Sequence, residues 1–305
     1  MPVMTFTSDH SSLGRVGVWS VALRGTGDGQ PLAAETAETV AELDELGYGT
    51  LWVGGSPSLA ETAPVVAAGR RIRVATGILS IWEHTAEKVA AEAARIEESA
   101  PGRFVLGLGV SHEQRTPGYA KPYSAMVAYL DALDAAPTPV PASRRLLAAL
   151  GPKMLRLAAD RSLGAHPYLV TPEHTAETRA ALGPGALLAP DVKVIIEPDL
   201  GRAREIARAN LAPYLQFTNY LRSFTRLGFS DADVAEGGSD RLIDALFALG
   251  DLERVRDRIS AYTDAGADHV ALNVFSDAPA GTLPRAEWRE LAAALDLGAA
   301  GTASA

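Results

Sequence analysis

The stretch RFVLGLGVSHEQ, residues 103–114, runs from an apolar segment into four groups that can exchange protons or hydrogen bonds: Ser111, His112, Glu113 and Gln114. Among them only the imidazole of His112 ordinarily titrates near neutrality, so it suits proton transfer at a reacting atom or a hydrogen bond to a bound group. Both uses stay open on the residues alone. Gly107 and Gly109 stand two apart, share one face of an extended strand, and cost that strand stability. Either their face is kept bare for a flat ligand, or it makes room for bulky neighbours such as Trp19 and Trp52.

A second constellation is LGPKML, residues 150–155. Gly151 turns the chain, Pro152 suits the first turn of a helix, and the N–H groups of Lys153 and Met154 lack helical partners. Such a helix start attracts anions, although every strand-to-helix turn in a barrel has the same outline. Glu83 and His84 open another helix and read as capping or rim groups, with Trp82 and Glu113 as further rim contacts. His166, His174 and His269 lack the spacing of metal ligands, so no metal is expected.

Composition narrows the chemistry. The chain has 305 residues, a formal charge of −9 and no cysteine. Thiolate catalysis, disulfides and cysteine-held metals are excluded. The acidic balance and the absence of a long basic cluster argue against a nucleic-acid partner. No basic start followed by an apolar run, and no apolar run near 18 residues, leads to the expectation of a soluble cytoplasmic protein without a membrane partner.

The elements that must position these groups follow one plan. Short Val/Ile/Leu-rich runs at 16–20, 50–54, 72–79, 103–109, 144–150, 165–169, 192–197 and 269–275 alternate with segments of helical periodicity at 31–47, 84–102, 151–164 and 251–266. Eight strands, each leading to a helix, give an α/β class chain: a (β/α)8 TIM barrel over 1–305, with its site at the strands' C-terminal ends. The interval between the seventh and eighth strands is too long for one helix, which predicts an extra helical insertion near 211–250 capping one end. The small-residue tail at 298–305 is expected to be disordered.

LGYGTLWVGG, RVATGILSIWEHTAEKVAAEAARIEESAPGRFVLGLGVSHEQ, LAALGPKMLRLAADRSLGAHPYLV and FALGDLERVRDRISAYTDAGADHVALNVF together resemble the bacterial luciferase-like oxidoreductases, most closely the branch using the deazaflavin coenzyme F420. The resemblance implies a barrel with an insertion after the seventh strand, a bound F420 or FMN, usually a homodimer, and hydride transfer or oxygenation of a small organic substrate. It implies a cis peptide at Gly77–Ile78. It also implies contacts to the cofactor ring from Gly54, Gly55, Gly77, Ile78, Gly107, Gly109, Val110, Ser111 and His112. The phosphate falls to Gly151, Pro152, Lys153, Met154, Tyr168 and Leu169; on its own residues, Tyr168 either donates its hydroxyl or stacks in the core.

Many deazaflavin relatives carry an Asp-His pair just after the second strand. Here the stretch reads WVGGSPS and places Gly55 and Ser56 there. That histidine has no counterpart, so His112 and Ser56 become the candidate catalytic donors. Trp19, Trp82, Tyr214, Phe217 and Tyr220 are the expected lining of a largely apolar substrate pocket. The leading expectation is an F420-dependent hydride transfer; the alternatives are an FMN-dependent monooxygenase and a non-catalytic flavin-binding or deazaflavin-binding protein.

Overall fold

The computed structural model describes residues 13–279 and 281–298. Its strands are β1 (Val16–Ser20), β2 (Thr50–Gly54), β3 (Arg73–Gly77), β4 (Leu79–Ser80), β5 (Phe104–Gly109), β6 (Arg145–Leu147), β7 (Gly164–Ala165), β8 (Leu187–Leu188), β9 (Asp191–Ile196), β10 (Phe247–Gly250) and β11 (Val270–Val274). Every pairing is parallel. Helices separate the successive barrel strands, as parallel pairing requires.

The sheet runs β10-β9-β11-β1-β2-β3-β5-β6-β7-β8. Only Ala189 and Pro190 separate β8 from β9, so these two form one run of chain. Its first half pairs with β7 and its second half with β11, and Asp191 N–H still donates to Pro167 O. The ring therefore closes on itself as a TIM barrel. All eight runs expected from the sequence take part, the fifth and sixth as shorter strands. Two strands lie outside the expected runs: β8, which precedes the seventh run and pairs with β7, and β10, whose FALG reads as the end of a helical insertion but adds a ladder outside the ring, beside Lys193–Ile196 of β9.

Alternation along each strand separates two layers. Leu51, Val53, Phe104, Leu106 and Leu108 face the helices, while Trp52, Ala75, Val105, Leu146, Leu187 and Ala271 fill the barrel interior. The insertion contributes helices at Thr218–Arg226, Asp231–Val234 and Asp240–Leu246. These build a second apolar core, with Phe217, Tyr220, Phe224, Leu242 and Phe247 packed on Leu169 and Ile195 at the strand ends. The tail expectation falls, apart from Gly298, outside the described residues. Among the described residues, no helix is long and apolar enough to cross a membrane.

The register explains the two glycines of β5. Ala75 pairs with Val105, but Leu79 pairs with Leu108, so the β3–β4 segment holds one more residue than β5 between the same two rungs. The extra residue makes a bulge, and the Gly77–Ile78 peptide within it is cis, as expected. The bulge brings the Thr76 carbonyl oxygen onto the face of Gly107 where a Cβ would project, and the Ile78 side chain onto that of Gly109. Their shared face is therefore not bare: it is filled by β3–β4. The glycines admit neighbours, as the packing alternative has it, but those neighbours are Thr76 and Ile78 rather than Trp19 or Trp52.

Candidate functional site

The C-terminal end of the barrel is an aromatic mouth. From β1, Trp19 donates through Nε1 to Gly77 O at 2.9 Å, and its ring centroid lies 5.9 Å from that of Tyr168 beyond β7. Tyr168 meets Tyr214 at 5.5 Å and Tyr220 at 6.2 Å. His112, just past β5, stacks on Phe217 at 4.3 Å and 5° and tilts against Tyr220 at 5.2 Å. Four of the five expected pocket aromatics thus come together with His112. Trp82 stands beside Tyr119 at 5.6 Å and donates to Val110 O.

The insertion is tied to this mouth by polar contacts from the helix Thr218–Arg226. Gln114 Nε2 donates to Thr218 Oγ1 at 3.0 Å, and His112 Nδ1 lies 3.0 Å from Asn219 Oδ1. An amide oxygen can only accept, so Nδ1 carries the hydrogen and Nε2 keeps its lone pair. Burial holds the His112 imidazole below its ordinary pKa despite the Asn219 bond, and Arg115 pushes the same way. His112 is thereby a neutral acceptor, which suits a hydrogen bond to a bound group, one of the two uses open from sequence.

Ser56 has a positive φ of 55°. Its hydroxyl donates to Glu83 Oε2 at 2.8 Å and accepts from Ser80 N–H at 3.0 Å. Its proton is engaged in joining the loop after β2 to the end of β4. Gly54 gives up its Cβ space to the Trp19 ring, whereas Gly55 (φ 77°) is exposed and faces Val21 and Arg24.

The anion end differs. Gly151 caps the helix Pro152–Arg161 without any side-chain hydrogen bond, and that helix has no acidic residue in its first turn. A Cβ on Gly151 would meet only Arg226 Nη1, at 4.0 Å, and Arg226 Nη2 donates to Leu150 O at 3.4 Å. Lys153 is exposed beside it, and Met154 is half-buried. Unpaired N–H groups, open space and the Arg226 guanidinium fit a phosphate group.

A charged chain that sequence reading missed lies under the aromatics. Lys193 is 1% exposed on β9. It donates to Tyr168 Oη at 2.7 Å and lies 3.6 Å from Asp191 Oδ1. Its ammonium sits 4.1 Å from the Tyr168 ring centroid and 5.0 Å from that of Phe275. Asn273 Nδ2 donates to Asp191 Oδ2 at 3.2 Å. The signal was available: Asp191 and Lys193 stand two apart in an otherwise apolar run, on one face of one strand. Tyr168 Oη also lies 2.9 Å from Tyr214 Oη, so its hydroxyl is engaged by both Lys193 and Tyr214. Leu169 is buried in the insertion core.

Below the mouth, His166 stacks on Trp52 at 4.2 Å and 9°, while His269 Nε2 accepts from Trp52 Nε1 at 3.0 Å. His174 shares a hydrogen bond with Thr178 in its own helix and another with the Leu150 backbone, beside Gly151. Among the described residues, no cluster of three or more His, Cys, Asp or Glu could hold a metal.

Comparison with known proteins supplies the remaining findings. The family model described as luciferase-like monooxygenase matches residues 14–269. A 76-residue segment is 40% identical to a 4-hydroxyprotoasukamycin monooxygenase of Streptomyces nodosus subsp. asukaensis, covering 22% of this chain and 20% of that protein. An F420-dependent secondary alcohol dehydrogenase, solved with an F420-acetone adduct, superposes with a TM-score of 0.68 at 13% identity, covering 93% of this chain and 98% of that one. The oxygenating constituent of 3,6-diketocamphane monooxygenase from the CAM plasmid of Pseudomonas putida, solved with FMN, superposes at 0.58 with 12% identity over 91% and 96%.

Proposed function

The chain belongs to the luciferase-like monooxygenase family, and from that premise we propose that it is an oxidoreductase that binds F420 and moves a hydride to or from a small, largely apolar organic substrate. The observation that carries this reading is the anion end of the mouth: an uncapped helix start with open space at Gly151 and the Arg226 guanidinium beside it. Gly151, Pro152, Lys153 and Met154 would hold the cofactor phosphate, with Arg226 added to the set expected from sequence. Half-buried Trp19, Ile78, Val110 and Ser111 remain as the surface for a ring. When bound, the cofactor supplies the hydride; the chain binds, orients and excludes water.

A second reading, FMN-dependent oxygenation, is favoured by the 40% identical segment of a monooxygenase. The two ring systems have nearly the same outline, so geometry at the mouth serves both. Titration of the purified chain with F420 and with FMN, followed by fluorescence, decides between them. Tight F420 binding with hydride transfer supports the leading reading, FMN binding with oxygen consumption the second, and binding without turnover a non-catalytic protein. Retention of F420 affinity in Arg226→Ala at low and high salt would remove the assigned anion site.

A further inference from the structure

Buried Lys193 donates to Tyr168, and Tyr168 shares a hydrogen bond with Tyr214. Hydrogen-bond directions follow from counting donors. Lys193 can only donate, so Tyr168 Oη accepts from it and uses its own O–H toward Tyr214. If Tyr214 donated instead, the Tyr168 hydrogen would have no acceptor among the described residues. The Tyr214 hydroxyl hydrogen is then the free end of the chain. Lys193 is buried and Tyr214 half-buried, so the chain runs outward into the mouth, beside Phe217 and Tyr220.

We propose that this chain of donors is a carbonyl-recognising and proton-delivering device, which makes the substrate class a neutral ketone or aldehyde, or the matching alcohol in reverse. Tyr214 is the catalytic residue that touches the substrate oxygen; Tyr168 and Lys193 are positioning residues that polarise and refill it. This rests on the hydride-transfer reading above. When a hydride from the reduced cofactor reaches the carbonyl carbon, the C=O π pair moves onto oxygen. That oxygen takes the Tyr214 proton, Tyr214 recovers one from Tyr168, and Tyr168 recovers one from the Lys193 ammonium, which ends as a neutral amine. The carbonyl is reduced by two electrons, the cofactor is oxidised by two, and solvent later returns one proton to Lys193.

The electrostatics agree with this direction. Burial pulls the Lys193 ammonium below its ordinary pKa against the opposing pull of Asp191, while burial pushes both phenols up. The lysine is thus the group ready to lose a proton, and the phenols conduct it without resting as phenolates. The groups facing this chain are Asp191 on its own strand, whose carboxyl burial raises to about 6, Tyr220 from the insertion and Arg115 near Tyr214. Strands β11 and β10 contribute the non-titrating Asn273 and Phe247.

The test uses the full-length chain, with and without oxidised cofactor, and three probes carrying a ¹³C carbonyl: acetone, cyclohexanone and acetophenone. At least one should show a downfield carbonyl shift on binding that vanishes in Tyr214→Phe. A second readout needs no probe. The chain has four lysines, Lys88, Lys121, Lys153 and Lys193, so ¹³C-lysine spectra assigned with Lys193→Met isolate the buried one. Its signal should titrate below the other three, and the carbonyl shift should fade over the same pH range in the wild type but not follow it in Tyr168→Phe. No Tyr214-dependent shift with any probe, or a Lys193 that titrates with the other lysines, overturns the proposal. A chain that shows both signals yet binds neither F420 nor FMN leaves the donor chain standing and removes the redox reading alone.

Discussion

Trp19 Nε1 donates to the carbonyl oxygen of Gly77 at 2.9 Å, so a side chain of β1 crosses the end of β2 to reach β3. The crossing is possible because Gly54 lies beneath: a Cβ there would come within 2.5 Å of the Trp19 six-membered ring. Aromatic floor and glycine are one packing unit, and their separation by 35 positions hides this from any local reading of the sequence.

Gly54→Ala should therefore displace the Trp19 indole and cost about 1–3 kcal/mol, the usual range for overpacking. Urea unfolding gives the stability, and tryptophan emission, with Trp19→Phe as the reference, gives the displacement. Unchanged emission and stability would mean that the ring lies elsewhere in solution.

The two glycines of β5 should separate in cost. At Gly107 an added methyl runs into the Thr76 carbonyl oxygen, which is backbone and cannot rotate aside. At Gly109 the obstacle is the end of the Ile78 side chain, which can rotate. Gly107→Ala is expected to lose about 2 kcal/mol or more and Gly109→Ala about half of that, compared by thermal and urea unfolding. Equal losses would argue against the bulge as the reason for both.

These glycines also mark how far the sequence could be read. The eight βα units were legible because Val/Ile/Leu runs and helical stripes have different periods. The long interval between strands likewise announced the insertion. The purpose of Gly107 and Gly109 was not legible, because the atoms that fill their face come from a bulge 30 residues upstream. The partners of Tyr168 are equally non-local: Lys193 lies 25 residues on and Tyr214 46 residues on, in the insertion. The run VKVIIE reads as a strand on its apolar residues alone, whereas the Asp-x-Lys pattern that places two charges on one inward face begins one residue earlier, at Asp191.

Acid should destabilise the fold through the two histidines flanking Trp52. Burial lowers His166 and His269 to about 4 each, and His269 needs its neutral Nε2 to accept from Trp52. The unfolded chain takes up these protons near pH 6.5, before the folded one does. Stability is therefore complete above about pH 6.5 and falls as pH drops toward 4, by on the order of 3 kcal/mol for each group at full extent. Urea unfolding between pH 7 and 4 measures the slope, and histidine NMR reads the two folded-state midpoints. Midpoints near 6.5 would remove the effect.

His112 is the last residue whose role the geometry redefines. With Nδ1–H donated to Asn219 Oδ1 and its pKa lowered by burial, it presents a neutral Nε2 lone pair at pH 7. Such a nitrogen accepts a hydrogen bond or a proton; it has no spare proton to give. His112→Ala should therefore weaken cofactor or substrate binding while kcat at saturation stays within a few-fold. The signature of a lost general acid would be opposite, with binding intact and kcat lower by about a hundredfold. Asn219→Asp supplies a control, because a carboxylate beside Nδ1 favours the imidazolium and should raise the His112 midpoint, extending the charged form to higher pH. NMR titration of the His112 ring reads this directly. A midpoint unmoved by the aspartate would mean that the Asn219 contact does not hold the ring.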